Sequence, residues 1–183
     1  MVQGRGVDAP LNETGRSQAE KAYQHLKEVP FDIVYTSELK RAMQTIEKFV
    51  ADGLEHKKHS GLDEISWGNQ EGVKADLEAK NMYAATVQGW KEGKLDLNVG
   101  GGESPLEVME RQKVAMEQIL KEEAETILIC MHGRAMRILL SWLLNYPLQF
   151  MDEFPHDNCA YYKLIYNGSE FVIDEFNVQD HLD

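Results

Sequence analysis

The most constraining part of this sequence is a run of apolar residues that leads directly into a histidine. Residues 127–131 are all apolar, and His132, Gly133 and Arg134 follow them. A short uninterrupted apolar run predicts a strand buried on both faces, as in the parallel sheet of an α/β protein. The next segment, 135–144, has apolar residues at helical spacing and is predicted to be a helix. We therefore expect His132 where a buried strand ends and a helix begins.

Such a junction is a common place for a ligand. In open α/β sheets ligands bind at the carboxyl edge of the strands, and the first turn of a helix leaves backbone N–H groups available for an anion. Arg134 and Arg137 follow closely and add positive charge. The sequence thus predicts a phosphate site at His132; the alternative is a histidine that merely ends the strand.

Composition limits the partners of the chain. The 183 residues carry a formal net charge of −12, which argues against nucleic acid or an anionic membrane surface as a partner. A phosphate site must then be a local cluster of Arg and His.

Cys130 and Cys159 lie in strand-like runs and are predicted to be buried free thiols in a reducing compartment. With no apolar run that approaches a membrane span and no signal-peptide pattern, a cytoplasmic location is expected.

The remaining elements follow from periodicity and turn signals. Ser37 is predicted to cap the second helix, and Ser104, Pro105 and Glu107 form a capping-box pattern at the start of another. The Asn167-Gly168 pair predicts a hairpin that finishes the sheet at an antiparallel edge. Helices are predicted over 14–27, 38–50, 75–87 and 104–124, a strand over 33–35, a short extended piece over 56–60, and hairpin strands over 159–166 and 171–178.

Three charged residues are candidates for chemistry. Arg41 lies near a helix N-terminus, where a cation is unfavourable unless an anion sits between it and the N–H groups. Glu64 lies in a short segment bounded by the apolar residues Leu62 and Ile65, and a half-buried carboxyl suits a general acid. Glu103 is either a second carboxylate at the site or an acid that favours the helix dipole. Each also has an ordinary interpretation as a solvated side chain.

Two nucleotide-binding motifs are excluded by context. Residues 4–9 fit G-x-G-x-x-A, but no predicted strand precedes them and Pro10 follows instead of a helix. The three glycines at 100–102 are not followed by Gly-Lys-Ser/Thr, so they are not a P-loop. Neither motif predicts a cofactor.

Six short motifs in a fixed order cover nearly the whole chain. They are QG and DAPL within 3–11, GRSQA at 15–19, YTSELKRAMQT at 35–45, LDE at 62–64 with Gly68 and Glu71-Gly72, GGES at 101–104, and HGR at 132–134. In these motifs and their order the chain resembles the histidine phosphatase superfamily. The resemblance implies a phosphoglycerate mutase-like α/β fold, with three layers, a mostly parallel sheet and an antiparallel C-terminal hairpin, in one domain over 1–183.

The resemblance also implies roles for individual residues. Arg41 matches the family's phosphate-binding arginine, His132 its phosphate-stabilising histidine, and Glu64 the acid that protonates the leaving oxygen. The substrate-binding residues implied are Gln3, Gly4, Glu103 and Gly133. Chemistry in this family passes through a phosphohistidine and uses no metal or other cofactor, which agrees with the way a nucleophile divides one displacement into two easier steps.

One family motif has no counterpart in this sequence. The family begins with a strand that ends in Arg-His-Gly, whose histidine is the nucleophile, and this chain aligns with the part that follows that strand. None of His25, His56, His59 and His181 is an obvious substitute, and His156 lies in a loop that could approach the site. Three interpretations are open: an N-terminally shortened enzyme, which we favour, a degenerate relative, or a strand exchanged between subunits of an oligomer such as a homodimer.

The expected function is hydrolysis of a phosphomonoester of a small metabolite, with that metabolite or inorganic phosphate as the ligand. A phosphoglycerate mutase is the alternative among enzymes, but mutases of this type carry longer insertions around the position of Glu64, where this chain is compact. A non-catalytic phosphate-binding protein is the alternative outside the enzymes, because the nucleophilic motif is absent from this sequence.

Overall fold

A small parallel sheet lies at the centre of the computed structural model, which describes residues 2–74 and 76–183. Strand β1 (Ile33–Thr36) lies between β2 (Glu55–Lys58) and β3 (Ile127–Cys130), and both neighbours run parallel to it. All four residues of β1 are buried, as its apolar sequence requires of a central strand. The predicted strand before His132 is confirmed as β3.

Helices cover both faces of this sheet, and alternate residues of β1 contact different helices. The helices are α1 (Glu13–Leu26), α2 (Lys40–Thr45), α3 (Glu47–Ala51), α4 (Leu77–Lys91), α5 (Pro105–Ile119) and α6 (Gly133–Leu143). Ile33 and Tyr35 pack with Met116 of α5 and Leu139 of α6, whereas Val34 packs against Ile46 and Phe49, with side chains of α1 nearby. The predicted layered α/β architecture is confirmed.

The C-terminal hairpin forms a sheet of its own. Strands β4 (Tyr161–Tyr166) and β5 (Phe171–Val178) pair antiparallel, as the Asn-Gly signal predicts. The expectation that this hairpin finishes the main sheet is wrong: within the described residues β3 pairs with β1 alone. The hairpin instead packs apolar side chains, including Leu164 and Phe171, against the core between the sheet and α5–α6.

Several predicted boundaries need correction. The helix expected over 38–50 is divided into α2 and α3, because Ile46 has non-helical dihedral angles (φ −104°, ψ 8°) while its side chain is buried. The N-cap of α2 is Leu39 rather than Ser37. Helix α4 extends to Lys91, and the predicted first residue of that helix, 75, lies outside the described residues. Helix α5 ends at Ile119, but its predicted capping box of Ser104 and Glu107 is confirmed.

Two other expectations concern the chain as a whole. Cys130 and Cys159 are both free, and burial raises the pKa of the Cys130 thiol to about 12. None of the helices in the described ranges is both long enough and apolar enough to cross a bilayer.

Candidate active site

Strands β1 and β3 end side by side, and a residue shortly after the end of each strand belongs to the candidate site. Ser37 follows β1, and His132 lies just beyond the end of β3. Because the two strands are parallel, their carboxyl ends lie at the same edge of the sheet. The Ser37 Oγ is 2.7 Å from the His132 Nε2, and both side chains are buried. The topology alone therefore positions His132 at the ligand-binding edge of the sheet.

Arg41, from the first turn of α2, donates a hydrogen bond to His132 and indicates which ring nitrogen carries the proton. Its Nε–H donates to the His132 Nδ1 at 3.3 Å, so we place the ring proton on Nε2, from which it is donated to Ser37. Burial, and then the positive charge of Arg41, lower the pKa of His132 to about 3. His132 is thus a neutral imidazole at physiological pH.

Glu64 occupies the N-terminus of α6. Its carboxylate accepts backbone N–H bonds from Arg134 at 3.2 Å and from Ala135 at 2.9 Å, and a third from Ile65 at 2.9 Å. These helix N–H groups are the ones that the sequence assigned to phosphate, so that expectation is wrong for this arrangement. A carboxylate satisfies the helix N-terminus in the same way as a bound anion.

An N-terminal loop covers Arg41. The Nη1–H of Arg41 donates to the Val7 carbonyl at 2.7 Å and its Nη2–H to the Gly4 carbonyl at 3.2 Å. Glycine is favoured at residue 4, because a Cβ would lie 2.6 Å from the backbone carbonyl oxygen of Ile65. Gln3, the other predicted loop residue, is exposed. Of the predicted pair, Gly4 therefore contacts the site through its backbone.

Glu103 supports the loops around the site. Its Oε1 accepts from the Arg111 Nε at 2.8 Å and from the Arg5 Nη1 at 3.3 Å, and its Oε2 accepts from the Ser66 N–H at 2.8 Å. Although burial opposes it, the hydrogen bonds and charge of Arg111 lower the pKa of Glu103. Both carboxylate oxygens are thus engaged within the protein, an arrangement that differs from the substrate contact expected from the sequence.

Sequence reasoning missed several residues of this site, and one of them carried a signal. Arg111 donates to the carbonyls of Gly61 and Glu64 as well as to Glu103. It lies on α5 between Val108 and Ala115, which are three residues before it and four after it and are both fully buried. A charged residue within a buried helical stripe indicates a specific partner. No comparable sequence pattern indicates that the side chain of Ser37 contacts His132.

His156 contacts Gly133, the first residue of α6. A Cβ on Gly133 would lie 2.6 Å from the Cε1 and Nε2 atoms of the His156 ring, so only glycine allows this approach. Burial, and then the charge of Arg137, lower the pKa of His156. The loop histidine that the sequence left open thus lies beside the start of α6, next to His132.

The donor set of the site is of a kind that suits an anion, provided that the anion replaces the loop carbonyls on Arg41. Arg41 and His132 supply N–H donors from two elements, and Glu64 lies beside them as a carboxyl group. Within residues 2–74 and 76–183, no group of three or more His, Cys, Asp or Glu side chains is placed to hold a metal ion.

Comparisons with known proteins agree on one family. The sequence model of the histidine phosphatase superfamily (branch 1) matches residues 1–179. Phosphoserine phosphatase 1 of Hydrogenobacter thermophilus is 30% identical over 178 residues, which cover 96% of this chain and 84% of that protein. A phosphoglycerate mutase of Schizosaccharomyces pombe is 33% identical over 73% of this chain and 67% of its own length. With fructose-2,6-bisphosphatase TIGAR B of Danio rerio, at 31% identity, this chain spans 51% of the relative's length.

Solved structures share the fold over the whole chain. Bacillus stearothermophilus YhfR superposes with a TM-score of 0.86 and 26% identity, covering 100% of this chain and 91% of that one. A mycobacterial glucosyl-3-phosphoglycerate phosphatase in complex with inorganic phosphate gives a TM-score of 0.85 at 22% identity, covering 100% and 93%. The second likeness shows the fold alone.

Proposed function

The chain belongs to the histidine phosphatase superfamily, and from this premise we propose that it hydrolyses a phosphomonoester of a small metabolite. The observation that carries the proposal is the convergence of three motif residues from separate parts of the chain. The Arg41 Nε lies 3.3 Å from the His132 Nδ1, and Glu64 binds the N–H groups of the two residues that follow Gly133. Relatives named as phosphatases of small phosphorylated compounds support the same interpretation.

Arg41 and His132 would hold the phosphoryl oxygens. A phosphate oxygen carries more negative charge than a carbonyl, so it is a better acceptor for the Arg41 N–H groups than the carbonyls of Gly4 and Val7. The Nε2–H of His132, now directed to Ser37, is a second donor. Neutral and cationic donors fixed by the fold stabilise the charge that develops on a transferring phosphoryl group.

We propose that the reaction passes through a phosphohistidine. A histidine nitrogen attacks phosphorus as the bond to the alcohol oxygen breaks, and that oxygen takes a proton for which Glu64 is the donor; water then cleaves the P–N bond, and a proton of that water returns to Glu64. The family's nucleophilic motif, Arg-His-Gly after a strand, does not occur in this sequence. Hydrolysis by this chain therefore has to be measured separately from phosphate binding.

A mutase is the second candidate, because the Schizosaccharomyces pombe relative named phosphoglycerate mutase is 33% identical to this chain. The same site would then return the phosphoryl group to a second hydroxyl instead of to water. Detection of phosphate transfer between two hydroxyls, without release of inorganic phosphate, distinguishes it from a phosphatase.

We further propose a cytoplasmic protein with a single domain. The two free cysteines favour a reducing compartment, and the match to one family model over residues 1–179 favours one domain.

The test combines calorimetry of inorganic phosphate with metal-free hydrolysis of an aryl phosphate, each with the wild-type chain and His132→Ala. Hydrolysis that is lost in the variant supports the phosphatase. Phosphate binding without hydrolysis supports the phosphate site, but contradicts catalysis by these 183 residues. A folded wild-type chain that neither binds phosphate nor hydrolyses the ester contradicts the proposal.

A further inference from the structure

A cleft of about 560 Å³ lies between the end of α6 and the C-terminal hairpin. Its walls come from Leu144, the C-cap of α6, from the loop 146–154 and from strand β5. This volume is within the range of clefts that bind small molecules. The lining residues in the described part of the chain do not include His132, Arg41 or Glu64, so the proposed phosphatase chemistry does not account for the cleft.

Three aromatic rings line one part of the cleft. The centroid of the Phe154 ring lies 5.6 Å from that of Tyr146, at an interplanar angle of 80°, and 6.3 Å from that of Phe176, at 38°. Because the rings are inclined to one another, they form walls rather than a flat stack. The faces of aromatic rings carry partial negative charge and attract a cation within about 6 Å. Phe176 is 51% exposed, so a ligand can reach this group of rings from solvent.

Glu153 supplies a full negative charge beside these rings. It is exposed, and its Oε2 accepts a hydrogen bond from the Tyr146 hydroxyl. In residues 2–74 and 76–183, this hydroxyl is the one hydrogen-bond partner of the carboxylate, and no Lys or Arg side chain forms an ion pair with it. The chain therefore leaves the charge of Glu153 without a cationic partner.

The cleft has no cation of its own in the described residues. Its lining contains neither Lys nor Arg, and the two cation–ring contacts found in the same residues involve Tyr23 and Trp90 instead. The net charge of −12 adds a field around the molecule that attracts cations. In its charge the cleft is thus complementary to a cation from outside the chain.

We propose that this cleft binds an organic quaternary ammonium ion. A primary ammonium has three N–H donors that need acceptors when they are desolvated, whereas the polar groups that line the rings are one carboxylate and one hydroxyl. A quaternary ammonium has no N–H, and its methyl groups pack against aromatic rings. The charged group would lie beside Glu153, and the hydrocarbon part of the ligand would contact Leu144, Phe171 and Ile173. This proposal is independent of the proposed function.

The test uses two ligands that have nearly the same shape and differ in charge. Choline has a quaternary nitrogen where 3,3-dimethylbutan-1-ol has a quaternary carbon. In NMR titrations of the full chain, we expect choline to bind about five- to tenfold more tightly than the alcohol, the effect of cation–ring contacts in a partly desolvated site. The largest shifts are expected for the ring protons of Tyr146 and Phe176.

Two variants and one control assign the preference to this cleft. Phe176→Leu removes a ring but keeps an apolar side chain, and should abolish the preference for choline. Glu153→Gln removes the charge but keeps an acceptor for the Tyr146 hydroxyl, and should weaken the binding of choline while that of the alcohol is unchanged. Tyr83→Leu removes an exposed ring from α4 and should leave both affinities as in the wild type.

The outcomes are distinct for chains that circular dichroism shows to be folded. Loss of the preference for choline in at least one of the two cleft variants, with the control unchanged, supports the site. The proposal is overturned if the wild-type chain does not bind choline, if it binds both ligands equally, or if both cleft variants retain the preference. Loss of the preference in Tyr83→Leu also overturns it. If Phe176→Leu is unfolded, the result for Glu153→Gln decides, because that substitution changes an exposed side chain.

Discussion

His132 shows how two neighbours determine the state of a buried side chain. The sequence predicts its position at the end of β3, because an apolar run followed by His-Gly-Arg is a clear local pattern. Its hydrogen bonds to Ser37 and Arg41 could not be predicted in the same way, because they join residues more than 90 positions apart. Burial, and then the positive charge of Arg41, make the histidine a neutral hydrogen-bonding group rather than a cation.

The lowered pKa of His132 predicts a specific loss of stability in acid. Because the pKa is 6.5 in an unfolded chain and about 3 in the folded one, protons bind the unfolded state preferentially. The part of the free energy of unfolding that depends on neutral His132 is present above pH 6.5 and is lost as the pH falls toward 3. Between about pH 7 and pH 5 the free energy of unfolding should therefore fall by about 2 kcal/mol more in the wild type than in His132→Gln. Urea denaturation at both pH values measures this difference; parallel profiles for the two proteins would contradict it.

Arg41 is expected to dominate phosphate affinity. Replacement by alanine removes a half-buried guanidinium that lies on His132, and should weaken binding of inorganic phosphate by roughly 1.5–3 kcal/mol, the value of a charged hydrogen bond. Calorimetry gives the affinity, and Arg16→Ala serves as the exposed arginine control. Unchanged affinity in Arg41→Ala would remove Arg41 from the site.

Features of single helices and strands that depend on adjacent residues were predicted correctly, whereas features that depend on tertiary contacts were not. The capping box of α5 and the Asn-Gly hairpin depend on a few adjacent residues, and both are confirmed. The break between α2 and α3 depends on burial of Ile46 against the sheet, which no local pattern reveals. The N-terminus of α6 was predicted to bind phosphate, but Glu64, from a distant loop, already occupies it.

The capping box makes α5 a test of one local interaction. The Ser104 Oγ accepts from the Glu107 N–H at 3.3 Å, and the Glu107 carboxylate accepts from the Ser104 N–H at 2.8 Å. Ser104→Ala should lower the free energy of unfolding by about 0.5–2 kcal/mol. Ser17→Ala, an exposed serine inside α1, is the matched control and should change stability by less than about 0.5 kcal/mol. Chemical denaturation compares them; equal effects would mean that the cap contributes little.

For the whole molecule, the sequence predicts the layers but not the division into two sheets. Hydrophobic periodicity identifies which residues are buried, so helices on both faces of a parallel sheet follow from it. Whether the hairpin joins that sheet depends on backbone pairing between distant segments, which periodicity does not encode. The result is a strand, β3, with one edge paired to β1 and the opposite edge unpaired within the described residues.

The unpaired edge predicts a pattern of amide exchange along β3. The Thr126 and Cys130 carbonyls accept from the β1 side, at Asp32 and Ser37, so Leu128 also faces β1 and Ile129 faces the open edge. The Ile129 amide should therefore exchange with solvent faster than the Leu128 amide. Hydrogen exchange followed by NMR at two protein concentrations measures this. Equal protection of both amides would show that another strand covers the edge, and protection that grows with concentration would identify a second copy as its source.

The loop carbonyls on Arg41 have a consequence for product inhibition. In the proposed reaction, Gly4 and Val7 compete with inorganic phosphate for the same N–H groups. When the ester has been cleaved, the loop can return to Arg41 as phosphate departs. The hydrogen bonds that the loop carbonyls then form with Arg41 lower the free energy needed to release phosphate. A rigid site, in which no protein group replaces the phosphate, binds its product at full affinity. We therefore expect that weakening the loop, for instance by removing the Arg5 side chain that anchors it to Asp63 and Glu103, makes inorganic phosphate a stronger inhibitor.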